Sequence, residues 1–173
     1  GLREFEIMVR LWIESEAWDE VLDKIIKENL FNQNSQASTL RIYSEIRERI
    51  QCLTPESLSD FLEWDQEDRR AIAFVAACKC YPFIFDFVQT VLRDKLQVFD
   101  EVLIDQDFNN YWNTKAVDIP ELDEVAQSTR KKVKQVLIRL LVEAGILSKT
   151  NNPLITPIYP TTRIENLLAR EGA

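Results

Sequence analysis

Residues 128–147 read STRKKVKQVLIRLLVEAGIL. Val133, Val136, Leu137, Leu140, Leu141 and Ala144 recur there at i, i+3, i+4 and i+7, the spacing of one apolar helix face. Gly145 follows, where a helix C-terminus favours a left-handed residue, and Ser128 or Thr129 is placed to cap the start. Arg130, Lys131, Lys132 and Lys134 put four basic side chains into five positions, with no acidic residue until Glu143. On a helical wheel, Lys131, Lys132, Lys134 and Arg139 spread over the side opposite the apolar face. Cations in the first turns oppose the helix dipole at a cost of roughly a few tenths of a kcal/mol each. That placement makes sense beside an anion. The spacing alone leaves two readings open: a solvated helix face, or the place where the protein meets a polyanion.

The same helical period runs through most of the chain. Leu2, Phe5, Val9 and Trp12 predict a first helix, and Trp18, Val21, Leu22, Ile25 and Ile26 a second. A polar, uncharged loop follows, in which Ser35 or Ser38 caps a third helix lined by Leu40, Tyr43, Ile46 and Ile50. Thr54-Pro55 opens a short acidic helix. Pro82 is expected to split the most apolar segment into 66–81 and 82–97. Helices around 105–112 and after Pro120 lead to the basic one, and 161–170 forms the last. Residues 146–158, with β-branched side chains around Asn151-Asn152-Pro153, predict a small hairpin. The fold class is therefore mostly α. It is a compact helical bundle with helix-turn-helix or winged-helix-like units.

The expected division is an N-terminal helical region, 1–53, and a C-terminal region, 54–173, that carries the basic helix 129–144 and a wing, together forming one compact unit. The order of helix, short helix, basic helix and hairpin over 105–158 is that of a winged helix, whose second motif helix presents its first residues to the major groove. Residues 18–50 have the makings of a second such unit, with Ser38, Thr39 and Arg41 opening its second helix.

Composition removes several classes of function. The chain has no histidine, so the commonest general base and metal ligand are missing. Its three cysteines make no disulfide framework, which fits a reducing cytoplasm. Cys78 and Cys80 point to opposite sides of an apolar helix and lack the second ligand pair that zinc needs. No glycine lies between 2 and 144, so no phosphate-cradling loop exists. No catalytic residue, metal or cofactor is expected. The longest apolar run, AIAFVAAC at 71–78, is too short to cross a membrane and is followed by Lys79. No secretory signal is expected at the start, where Gly1 in place of Met points to native residues upstream. The acidic run 54–68, with Glu56, Asp60, Glu63, Asp65, Glu67 and Asp68, reads as a solubilising face.

Three segments in order, STLRIYSEIRERI at 38–50, FDFVQTVLRDKL at 85–96 and the basic helix at 128–147, together resemble the BrxA family. These are small bacterial proteins of the BREX bacteriophage-exclusion systems, once labelled inner-membrane proteins. The similarity runs from about Trp18 to Leu147 and is most specific in the Ser-Thr-Arg-Lys-Lys opening and the EAGIL close of the basic helix. The resemblance implies an all-helical, non-enzymatic phage-defence component that binds double-stranded DNA, with likeness to NusB-type helical folds that carry RNA. By motif position, Arg130, Lys131 and Lys132 carry the DNA contact, with Lys134 and Arg139 beside them. Ser128 and Thr129 add hydrogen bonds at the helix start. No residue set dictates a base sequence, so binding is expected to be non-specific. Other BREX proteins are the further expected partners. The rival readings are an interaction scaffold within the defence complex and a NusB-like RNA binder.

Overall fold

Side-chain caps and prolines set most of the helix starts. Helices α1 (Leu2–Ser15) and α2 (Trp18–Lys27) come first. Ser35 Oγ accepts from the Ser38 amide at 3.2 Å and opens α3 (Gln36–Gln51). Thr54 Oγ1 accepts from the Ser57 amide at 3.3 Å and opens α4 (Pro55–Glu63), with Pro55 at its first position. Asp65 Oδ1 accepts from the Glu67 and Asp68 amides at 2.9 and 3.1 Å at the start of α5 (Gln66–Cys80). Pro82 splits the apolar run as expected, and α6 (Pro82–Phe87) begins beyond Tyr81. A π-helical turn, Val88–Leu92, then joins α6 to α7 (Arg93–Gln97). After α8 (Asp105–Asp118) come a 3₁₀ turn at Pro120–Leu122, the basic α9 (Gln127–Glu143) and α10 (Thr162–Glu171). The computed structural model describes residues 1–149, 152–157 and 159–172. Among them no single helix is long and apolar enough to cross a membrane.

Contacts divide the chain into two units, Gly1–Cys80 with Pro160–Ala173, and Tyr81–Tyr159. The boundary expected after residue 53 is therefore displaced. Helices α4 and α5 belong with α1–α3, because Phe61 and Ile72 are fully buried in the same core as Phe5, Met8, Val9, Ile25 and Ile50. The ring centroids of Phe5 and Phe61 are 5.1 Å apart. Helix α10 joins that core through Leu167, which has no exposed surface.

A carboxylate fixes α10 in place. Glu171 accepts from the Thr54 amide at 3.0 Å, from Thr54 Oγ1 at 2.8 Å and from Ser57 Oγ, and Lys79 Nζ lies 2.5 Å away. Arg170 reaches Asp60 at 2.5 Å, and Arg163 reaches Asp68 at 3.2 Å while its guanidinium lies over the Trp64 ring. Part of the acidic run 54–68 thus serves internal pairing rather than solvation.

The second unit is built on an aromatic cluster. Tyr111 lies 5.1 Å from both Phe83 and Phe87, and Phe108 stands 5.9 Å from Trp112. Leu137, Leu140 and Leu141 of α9 are buried in this unit together with Leu103, Ile146, Leu147 and Ile155. Leu147 and Ile155 form an antiparallel bridge, with Ser148 N donating to Leu154 O at 2.9 Å and Thr156 N to Ile146 O at 2.8 Å. The hairpin expected at 146–158 is therefore represented by isolated bridges. Thr150 and Asn151 of its turn, and Ile158, lie outside the described residues. A third segment completes it, since Val102 pairs with Leu154 and Ile155 N donates to Glu101 O at 2.8 Å.

The Glu171 cluster makes stability depend on acid. Burial pushes its carboxyl pKa up, but hydrogen bonds from Lys79, Ser57 and Thr54 outweigh this and hold it at about 2, against 4.5 unperturbed. A lowered native pKa stabilises the fold above the unfolded value and is lost as pH falls through the native one. At neutral pH this amounts to about 3 kcal/mol. Chemical denaturation of the wild type and Glu171→Gln should show that advantage intact above about pH 5, shrinking between there and about pH 2. A pH-independent difference would contradict it.

Candidate nucleic-acid interface

The basic residues of α9 divide into two groups by the way the helix packs. Arg130, Lys134, Leu137 and Leu141 lie at i, i+4, i+7 and i+11, one stripe of the helix surface. Its lower half is core, and its upper half is turned toward α8. The Arg130 guanidinium donates to Asn109 O at 3.2 Å, Asn109 Oδ1 at 3.3 Å and Asn113 Oδ1 at 3.1 Å. It also lies 5.2 Å from the centroid of the Trp112 ring. Lys134 Nζ forms an ion pair with Asp105, and its side chain is only 25% exposed. Arg130 therefore ties α9 to α8, and Lys134 is not on the outward face that the wheel assigned to it.

Ser128, Lys132, Gln135 and Arg139 occupy a second stripe with the same i, i+4, i+7, i+11 spacing, and all are exposed. Lys131 is exposed beside it. Among the described residues, Lys131, Lys132 and Arg139 have no ion-pair partner. From Ser128 to Arg139 this face is roughly 16 Å long at 1.5 Å per residue.

The helix start differs from expectation. Helix α9 begins at Gln127 with Ala126 as its N-cap, and no side chain bonds its first amides. Ser128 and Thr129 lie inside the first turn, exposed, rather than capping it. The amide groups of that turn lack a side-chain acceptor, and the dipole is positive there. The C-terminus follows the sequence reading: Gly145 adopts φ +79°, with Gly145 N donating to Val142 O at 3.1 Å and Ile146 N to Leu141 O at 2.9 Å.

A cleft of about 450 Å³ opens beside the first turns of α9, lined by Gln127, Arg130, Lys131 and Lys134 with Asp105, Phe108, Asn109 and Asn113 of α8. One feature escaped the sequence reading. Lys149, exposed, follows the bridged Leu147 and adds a cation beyond the basic helix. The turn ahead of α9 is acidic, as the composition of residues 100–127 implies, with Glu121, Asp123 and Glu124 all exposed.

In the first unit, α2 and α3 are joined by a turn. The turn uses two left-handed asparagines, Asn29 at φ +45° and Asn32 at φ +51°, around a buried Phe31. Arg41 is exposed on α3 and Ser38 half-buried, where its hydroxyl accepts from Ser35 Oγ at 3.0 Å. Thr39 is only 6% exposed, with its hydroxyl within 3.4 Å of Ser35 O, so it has no surface for a ligand. The expectation of a contact through Thr39 is corrected: its stripe, with Tyr43, Ile46 and Ile50, faces the core.

These elements define an all-α protein. The BrxA family model matches residues 2–172, and the chain belongs to the BrxA family. A Bacillus cereus protein named BREX protein BrxA is 29% identical over 152 residues, covering 87% of this chain and 76% of the relative. An Escherichia coli protein of the same name is 24% identical over 173 residues, 98% of this chain and 80% of its own. A crystal structure of a Magnetospirillum magneticum protein superposes with a TM-score of 0.87 at 22% identity, covering 99% of this chain and 88% of that one, which shows the shared fold.

The division of labour on α9 is testable by stability alone. Arg130→Ala removes three charge-assisted hydrogen bonds and a cation–π contact, and should destabilise the fold by about 2 kcal/mol. Lys132→Ala should stay within about 0.5 kcal/mol of the wild type. Urea denaturation of the two variants measures both, and equal values would refute the assignment.

Proposed function

We propose that this protein is a non-enzymatic, DNA-binding accessory component of a BREX-type phage-defence system, and that the exposed stripe of α9 meets duplex phosphates. The observation that supports it is the separation just described. Internal partners account for Arg130 and Lys134, and Lys131, Lys132 and Arg139 remain together on the surface. No demand of the fold explains those three. Amides of Gln127, Ser128 and Thr129 at an uncapped helix start add donors aimed at an anion. Lys149 extends the positive face to the wing. Arg41 and Ser38 of the other helix-turn-helix are secondary candidates. A DNA partner places the protein in the cytoplasm, where the remaining BREX proteins are its further partners.

The free cations also fix the expected strength. Each neutralised phosphate contributes about −0.9 to the slope of log affinity against log salt. Three cations on α9 with Lys149 give a slope of about −3.6, a loss of roughly 150-fold between about 50 and 200 mM salt. All five basic residues of α9 acting together would give a steeper line. No side-chain set offers bidentate readout of a base edge, so duplexes of unrelated sequence should bind alike.

Fluorescence anisotropy of a labelled duplex across that salt range is the test. Lys131→Glu/Lys132→Glu should abolish binding without changing the melting temperature. Retention of affinity in that variant would refute the α9 interface. Tighter binding to RNA than to duplex DNA would favour the NusB-like reading.

A further inference from the structure

A second surface lies in the first unit, away from any basic residue of α9 in the sequence, and it has the opposite character. A cleft of about 630 Å³ opens between the α1–α2 junction, the end of α3 and the start of α4. That size is in the range of specific binding sites. Trp12 and Trp18 form one wall, stacked with centroids 4.2 Å apart and planes 11° from parallel. Trp18 is held in place: Arg47 lies 5.4 Å from its centroid, the Tyr43 ring meets it edge-on at 6.2 Å, and Tyr43 Oη donates to Trp18 O at 2.8 Å. Ile13, Leu53 and Leu58 contribute aliphatic surface, and Ile13 is 44% exposed. A rigid tryptophan wall beside exposed aliphatic surface is the composition of a binding hot spot.

The rim identifies the occupant. Residues 11–23 contain Glu14, Glu16, Asp19, Glu20 and Asp23 and no basic residue. Glu16 lines the cleft itself, in a left-handed conformation with φ +52° that ends α1. Glu56 follows Pro55 on the other side. Glu14, Glu16, Asp19, Glu20 and Glu56 are exposed, and none makes an ion pair among the described residues. An apolar floor lined by Glu16, with the further unpaired carboxylates on the segments next to Trp12, Trp18 and Pro55 outnumbering the Arg47 guanidinium on Trp18, suits a cationic partner. The negative charge comes from two separate chain segments on either side of an apolar slot. It is best matched by several positive charges spaced around one apolar anchor, as on a peptide. We propose that this cleft docks a basic segment of a partner protein, with an aromatic or aliphatic anchor side chain against Trp12 and Trp18 and Lys or Arg flanks on the carboxylates. The proposal stands independently of DNA binding by α9.

The test is to pan a random peptide library, about twelve residues long, against the full chain, with Glu14→Lys/Glu16→Lys as counter-selection. Both positions are exposed, so the variant should keep the wild-type melting temperature. Selected peptides should carry an apolar residue flanked by Lys or Arg and perturb tryptophan fluorescence. They should bind about tenfold more weakly to the double variant and weaken with salt. Duplex DNA should not displace them. Failure to enrich any sequence over the double variant would overturn the proposal, as would enrichment of uncharged or acidic peptides. Self-association in sedimentation that the double variant abolishes would assign the cleft to a second copy and overturn it equally.

Discussion

The Arg130 guanidinium fixes which face of α9 looks outward. A helix with an apolar stripe can rotate several degrees about its axis at little cost. Three hydrogen bonds to Asn109 and Asn113 and the ring of Trp112 beside them remove that freedom. All three come from one guanidinium nitrogen and act as a shared set contributing about 2 kcal/mol, more than an exposed ion pair. Lys134 with Asp105 adds a second anchor one turn further along the same stripe. Once these are set, the stripe Ser128, Lys132, Gln135 and Arg139 must face away, because it is displaced on the wheel by more than a quarter turn. A residue that resembles a ligand contact thus positions its neighbours instead.

The first unit depends on a contact of a different kind. Its core is assembled from α1–α5, yet it closes only when the chain returns after residue 159 and α10 brings in Leu167 and Glu171. Glu171 bonds residues 114 and 117 positions earlier in the chain. The loop closed by this carboxylate therefore contains the entire second unit. Long closures carry an entropic cost that grows only slowly with length. One buried leucine and a satisfied carboxylate can meet that cost where a surface ion pair cannot.

Much of this was legible in the residues. Helix starts at Ser35, Thr54 and Pro82 followed from cap chemistry and the missing amide of proline, and Gly145 marked the end of α9. The paired segment at Val102 was not legible, since a single bridged residue leaves no period-2 pattern. The π turn at Val88–Leu92 left no mark in a segment whose apolar spacing is ordinary. Partition of the basic residues was recoverable in principle: Arg130 and Lys134 share the i, i+4 row of Leu137 and Leu141, so their inward position follows from the row. Whether a polar side chain on that row finds a partner depends on Asp105, Asn109 and Asn113, about twenty to thirty residues away, and no local pattern carries that. The unit boundary was misplaced for the same reason, because α4 and α5 look locally like the start of something new.

The chain's net charge of −8 and its basic helix are compatible because charge acts locally in salt water. At physiological ionic strength the screening length is about 8 Å, half the length of the exposed face of α9. A phosphate at that face would sense Lys131, Lys132, Arg139 and the helix start most strongly. Opposing charges within the same unit include Asp105, Glu143 four residues beyond Arg139, and Glu121, Asp123 and Glu124 in the preceding turn. By chain distance several of them fall within one or two screening lengths of the basic residues and weaken the positive field there. Acidity elsewhere then has two physical consequences: it keeps the protein from coating polyanions indiscriminately, and it leaves the tryptophan-walled cleft with a charge that selects partners of the opposite sign. The two surfaces discriminate by sign, and a ligand suited to one is repelled by the other.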